Sequence, residues 1–148
     1  MATAVSVVGS GAAQSATVAR VAKIRAAVVR GRVAEAEKLF APVAKKYKAG
    51  ALKSAAELHA AALMLVELAR LPNSKERYHD ANRLFFEAKE VDPKRAQVFI
   101  DWGMLYLEKY DAAEAAKKFK AAVAIEPENA DALAGLARVA YSSFDYAT

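Results

Sequence analysis

The chain has 148 residues, 55% of them hydrophobic, with 6 glycines, 4 prolines and no cysteine. Such a chain can bury one domain's core and favours helices, while the missing cysteine excludes disulfides, thiolate nucleophiles and cysteine-based zinc sites. The net charge of +5 is uneven, with nine Lys or Arg against two Asp or Glu in residues 1–50, eight against seven in 51–95 and five against eight in 96–148.

Residues 1–16, MATAVSVVGSGAAQSA, carry no charged side chain. They read either as a disordered segment or as the tail of a signal-peptide core, Ala4 to Val8, with Gly11 and Ala13 as a small-x-small cleavage site before Gln14. The second reading requires a start codon further upstream and implies export, to a periplasm for example; the first leaves a cytoplasmic protein. From Thr17 to Arg30, Val18, Val21, Ile24 and Val28 follow a helical stripe that breaks at Gly31. A second helix follows, with Ala36, Phe40 and Val43 on its apolar side and Pro42 inside it, where a kink is expected.

Gly50 ends that pair. Ser54 and Glu57 have capping-box spacing and predict a helix from about Ala55 to Leu71, burying Leu58, Leu65 and Leu68. Pro72, Asn73 and Ser74 form a turn, and Lys75 to Val91 a partner helix carrying Ala81, Phe85 and Ala88 before Pro93. His59 and His79 are twenty residues apart with no second ligand at helical spacing, so no metal site is expected.

From Ala96 the pattern sharpens. Phe99, Trp102, Gly103 and Tyr106 share one helix face, with Gln97, Asp101, Met104 and Glu108 opposite. After a turn at Tyr110 and Asp111, a second stripe runs through Ala112, Ala115, Ala116, Phe119, Ala122 and Val123, with Lys117, Lys118 and Lys120 off its centre, and ends before Pro127. Gly103 and Ala115 are the small residues that allow two helices to approach closely, and the aromatics read as packing residues rather than a cofactor box. A last helix starts at Ala130, with Leu133, Leu136, Ala137 and Ala140 as its expected packing face and a turn at Phe144 to Tyr146.

Ala81, Phe85, Ala88 and Pro93 precede Ala115, Phe119, Ala122 and Pro127 by 34 residues in every case. That constant period, with the aromatic, glycine, tyrosine, alanine, phenylalanine and proline slots of residues 96–129, resembles the tetratricopeptide repeat, although Trp102 stands where leucine is commoner. The resemblance covers residues 17–148 as repeats at about 17–50, 51–95 and 96–129 and a half repeat at 130–148. The first is degenerate, lacking the aromatic and glycine slots of its first helix. Residues 51–61 are extra, through either a longer helix or a longer link. Val139, Tyr141, Phe144 and Tyr146 are too apolar for a polar capping helix, so the chain is expected to be part of a longer protein.

The resemblance implies an all-α fold, a right-handed α-solenoid of antiparallel helical hairpins, with a concave groove lined by the first helix of each repeat. The polar faces opposite the packing stripes nominate Glu67 and Arg70 in the second repeat, Gln97, Asp101, Met104 and Glu108 in the third, and Asp131 and Arg138 in the fourth. Such a groove takes a peptide or protein partner, without a cofactor. Asp101 and Glu108 disfavour the carboxylate-clamp chemistry of one subfamily, which uses Lys and Asn, and favour a ligand of basic or mixed charge.

Three functional readings follow. The first is a protein-binding scaffold; the second is the helical-repeat part of a larger, exported enzyme such as a hydrolase; the third is nucleic-acid binding through Lys23, Arg25, Arg30, Arg32, Lys45, Lys46 and Lys48, with only Tyr47 for base stacking. The residues contain no nucleophile elbow, HExxH or phosphate-cradling loop, and Glu126, Glu128 and Asp131 read as turn and first-turn carboxylates, so these residues are not expected to form an active site. No run reaches the ~18 apolar residues of a membrane span.

Overall fold

The computed structural model describes the backbone of residues 3–145 and the side chains of residues 16–144. Its described residues form seven helices and no strand: α1 (Thr3–Val29), α2 (Val33–Lys48), α3 (Ala55–Ala69), α4 (Arg77–Val91), α5 (Ala96–Glu108), α6 (Ala112–Ile125) and α7 (Ala130–Asp145). The all-α class expected from composition and periodicity is therefore observed. The chain divides into two compact units, one up to Leu84 and one from Phe85, with the division inside α4.

In the first unit α1 packs against both α2 and α3, and α2 also meets α3. Ile24, Ala27, Ala36, Met64, Leu68 and Leu71 make the core, with Val21, Val28, Leu39, Phe40 and Val43 packed against it. Val18, expected on the buried stripe, is instead 69% exposed, and Ala27 takes the inward position. The helix of α1 reaches back to Thr3, across most of the uncharged segment 1–16; the side chains before Ala16 lie outside the described residues.

α1 and α2 stop at glycines for the same reason. Gly31 (φ +68°) and Gly50 (φ +65°) adopt the left-handed conformation, and the paired bonds Arg32 N–H to Ala27 O and Ala51 N–H to Lys46 O satisfy the last carbonyls. α3 starts at the predicted capping box: the Ser54 hydroxyl accepts from the Glu57 N–H at 3.1 Å while the Glu57 carboxylate accepts from the Ser54 N–H at 3.1 Å. That backbone bond from Ser54, the largest influence, draws the Glu57 carboxyl below its usual range. The extra residues 51–61 are shared between a link, 51–54, and an early helix start, and α3 ends at Ala69 rather than Leu71.

In the second unit the period is visible in the packing. Ala81 in α4 belongs to the first unit, but Phe85 and Ala88 share with Ala115, Phe119 and Ala122 the property of being 0% exposed. α4 and α6 end at Val91 and Ile125, and α5 and α7 begin at Ala96 and Ala130, each pair one period apart. α6 packs against both α5 and α7, and α5 meets α7. The Phe119 ring lies between two glycines: a methyl group on Gly103 would stand 2.8–3.0 Å from its ring carbons, and one on Gly135 would be closer still.

α7 departs from the predicted face. Ala132 is 0% and Val139 9% exposed and Gly135 is buried, whereas Leu133 is 46% exposed and Ala137 and Ala140 are exposed; only Leu136 of the expected set is half-buried. The reason is geometric, since the neighbours that cover α7 are α5 and α6. They meet the side on which Gly135 admits Phe119, about 100–160° round the helix from Leu133 and Ala137.

Two outcomes are expected. Gly135→Ala should destabilise the second unit by about 1–3 kcal/mol despite alanine's better helix propensity, and more than Gly103→Ala, because Phe119 has no room to withdraw; denaturant unfolding followed by the fluorescence of Trp102, the sole tryptophan, measures both. Equal or greater stability of Gly135→Ala would show that the ring yields. At Tyr110, which closes α5 at φ +61° with its side chain 87% exposed, Tyr110→Gly should raise stability by about 0.5–1 kcal/mol, as relief of left-handed strain exceeds the added freedom of the unfolded glycine.

Candidate binding surface

α5 presents one row of side chains away from its core. Gln97, Asp101, Met104 and Glu108 follow spacings of four, three and four, which keeps them on one helical face. Gln97 and Glu108 are exposed, Met104 is 36% exposed and Asp101 is half-buried. Gln97 Nε2 donates to Asp101 Oδ1 at 3.2 Å. From α7, Arg138 Nη1 donates to Met104 Sδ at 3.4 Å, joining residues 34 apart in sequence. Asp131 is exposed two turns earlier on α7, which begins at a cap made by Asn129, whose Oδ1 accepts from the Ala132 N–H at 3.0 Å. Five of the six residues nominated in this unit thus share the α5 row or touch it; for Asp131 the link is its place on Arg138's helix. With three carboxylates and one guanidinium, the face is acidic.

The opposite side of α5 is packing. Trp102 stacks with Phe85 (6.1 Å between centroids), Phe99 (6.5 Å) and Tyr106 (6.5 Å). Lys118 Nζ lies 3.9 Å from the Trp102 ring centroid and 5.9 Å from that of Tyr106, a cation over two π faces. Burial holds the Lys118 ammonium below the usual lysine range, with Glu114 pulling the other way and Lys89 and Lys117 adding to the depression. The lysine stem that covers Trp102 had no signal in the sequence beyond lying off the centre of the α6 stripe.

In the first unit, Glu67 is not on a polar face. Twelve of the fifteen residues of α3 are buried, so this helix has almost no outward side. Glu67 is 3% exposed. Its carboxylate is held between two guanidiniums, Arg25 at 2.8 Å and Arg70 at 2.6 Å. Arg70 is exposed, as expected, but its charge is directed at Glu67. The spacing of Glu67 and Arg70 on one helix was legible; the partner from α1, 42 residues earlier, was not.

The basic residues of the first unit also have local roles. Lys45, Lys46 and Lys48 occupy the last turn of α2, where the helix dipole favours cations, and Arg32 bridges Glu35 at 3.3 Å. Among the described residues no group of three His, Asp or Glu side chains could hold a metal, and no helix is long and apolar enough to cross a membrane. Glu126, Pro127, Glu128 and Asn129 line a shallow depression of about 520 Å³ at the turn between α6 and α7. There Asn129 Nδ2 donates to Glu126 Oε2 at 2.7 Å, which fits a turn carboxylate.

No protein-family model matches the chain, and no curated protein matches it.

Glu67→Gln should destabilise the first unit by about 1–3 kcal/mol, less than the cost of breaking a fully buried pair because Arg25 and Arg70 remain 62% and 41% exposed and can reach water. Thermal unfolding followed by circular dichroism measures it. A triple exchange of Arg25, Glu67 and Arg70 to Leu should recover most of the loss; equal stability of Glu67→Gln and the parent would remove the triad from any structural role.

Proposed function

We propose that the chain is a protein-interaction scaffold. Its 34-residue units are antiparallel helical hairpins of tetratricopeptide type, stacked as a right-handed α-solenoid, and the polar face of the first helices receives a peptide or protein partner. The contact between Arg138 and Met104 carries this reading. Two side chains one period apart meet on an exposed surface, as they must if successive first helices lie side by side and present equivalent positions to one ligand. The large aromatics and the small residues of the repeat are occupied in packing, whereas the α5 row and its α7 neighbours face outward.

The chemistry of that row defines its ligand. Asp101, Glu108 and Asp131 supply negative charge, Arg138 one positive charge, and Met104 a deformable apolar point. A basic or mixed-charge segment with one apolar anchor is the complement, oriented by its charges and held by the buried anchor. Glu67 has no part in it, since its carboxylate is committed to Arg25 and Arg70. Arg70 stays a candidate for contact on the first unit.

The test is capture of a partner by the full-length protein, repeated with Asp101→Lys and Glu108→Lys together. The expected result is at least a tenfold loss of affinity, with an unchanged circular dichroism spectrum because both positions are on the surface row of α5. Partner binding that is indifferent to both reversals would remove this face from the interaction.

A further inference from the structure

The chain has three methionines and no cysteine, so its sulfur chemistry is that of the thioether alone. Met1 lies outside the described residues, and the other two stand in opposite surroundings. Met64 is 1% exposed, in the core that Ile24, Ala27, Leu68 and Leu71 build in the first unit. Met104 is 36% exposed on the outward row of α5.

Two features set the Met104 thioether apart. Its side chain is reached from solvent, and Arg138 Nη1 of α7 donates to its sulfur at 3.4 Å. A thioether is a weak acceptor, so a guanidinium, whose N–H groups bond most strongly to oxygen, gains little from it. A sulfoxide reverses that. Its oxygen is a strong acceptor, bonded to the atom that Arg138 already approaches, and a charge-assisted N–H···O bond replaces a weak N–H···S contact. The pair therefore stabilises the oxidised side chain more than the reduced one.

We propose that Met104 is a reversible oxidation site, at which hydrogen peroxide converts the thioether to a sulfoxide and Arg138 holds the added oxygen. A sulfur lone pair attacks one peroxide oxygen. The S–O bond forms as the O–O bond breaks, and the displaced hydroxide takes the proton from the added oxygen and leaves as water. Sulfur gives up two electrons and the peroxide accepts them. A dithiol, acting through methionine sulfoxide reductase, restores the thioether: the oxygen leaves as water and the dithiol becomes a disulfide. The effect on a ligand rests on the proposed role of this row in partner binding. There, oxidation turns the one apolar point of the row into a polar group and draws its one guanidinium onto the sulfoxide.

The full-length protein, folded and in denaturant, is exposed to hydrogen peroxide, and Met64 and Met104 are followed by peptide mass spectrometry. In the folded protein Met104 should gain one oxygen roughly tenfold faster than Met64 or more, and the difference should vanish in denaturant. Incubation with dithiothreitol and the two methionine sulfoxide reductases, one for each epimer, should remove the oxygen. Arg138 is read separately. Its side-chain N–H signals in nitrogen-resolved NMR should shift on oxidation and exchange more slowly with water, and Met104→Leu, treated alike, should show neither change. Three results would overturn the proposal: equal rates for Met104 and Met64 in the folded protein, an oxygen that the reductases leave in place, or Arg138 signals that oxidation does not move. None of these readouts involves a partner, so they stand or fall independently of the Asp101 and Glu108 reversals that test the row as a binding face.

Discussion

The second unit depends on one fit, the Phe119 ring between Gly103 and Gly135. Two glycines inside helices cost about 2 kcal/mol of helix propensity, and burying a phenyl group offsets about 1.5–3 kcal/mol of that kind of loss. The margin is small, so the fit is worth having only because it brings three helices together at once. Phe119 is 0% exposed; α6, which carries it, contacts both α5 and α7, and α5 and α7 in turn contact each other. The approach of α7 to α5 is what allows Arg138 to reach Met104. The meeting of Arg138 with Met104 is thus a consequence of packing on the same helices, at Gly103 on the far side of α5 and at Gly135 within one turn of Arg138 on α7.

Much of this is legible in the sequence, because period and residue size act together. Ala115, Phe119 and Ala122 repeat Ala81, Phe85 and Ala88, and all six are 0% exposed. A position that is buried in successive repeats must be filled by a similar volume each time, so it leaves a trace in a single sequence. The four residues Gln97, Asp101, Met104 and Glu108 were legible for the complementary reason, as the polar remainder of a helix whose apolar face was plain. Gly135 was missed because it lies 32 rather than 34 residues after Gly103. It serves the far side of the Phe119 ring, a role that the period does not mark.

Where the reading failed, the cause was contact across long sequence separation. Glu67 and Arg70 look like surface charges from the spacing of α3 alone, since a helix stripe cannot reveal whether its polar side is also covered. α1 and α2 both pack on α3, and Arg25 supplies the guanidinium that makes a nearly buried carboxylate tolerable. The same limit explains α7. Periodicity placed Leu133, Ala137 and Ala140 on the face equivalent to the covered face of α5, and that equivalence is correct as a statement about sequence. Burial requires a neighbour, and the neighbours present are α5 and α6, which meet Ala132, Gly135 and Val139 instead.

α7 consequently separates two properties that coincide in α5. In α5 the aromatic side is closed by α6 and the polar row is open, so the exposed side offers charge and one methionine. In α7 the polar residues Asp131 and Arg138 and the apolar stripe from Leu133 to Phe144 are both exposed. These surfaces ask for different chemistry. Charge on a solvent-facing row steers and orients a ligand while adding little free energy per pair. An uncharged stripe with two aromatic side chains interacts mainly by removing apolar area from water. Salt therefore acts on them unequally, since screening weakens the charge of the first and leaves the apolar character of the second nearly unchanged.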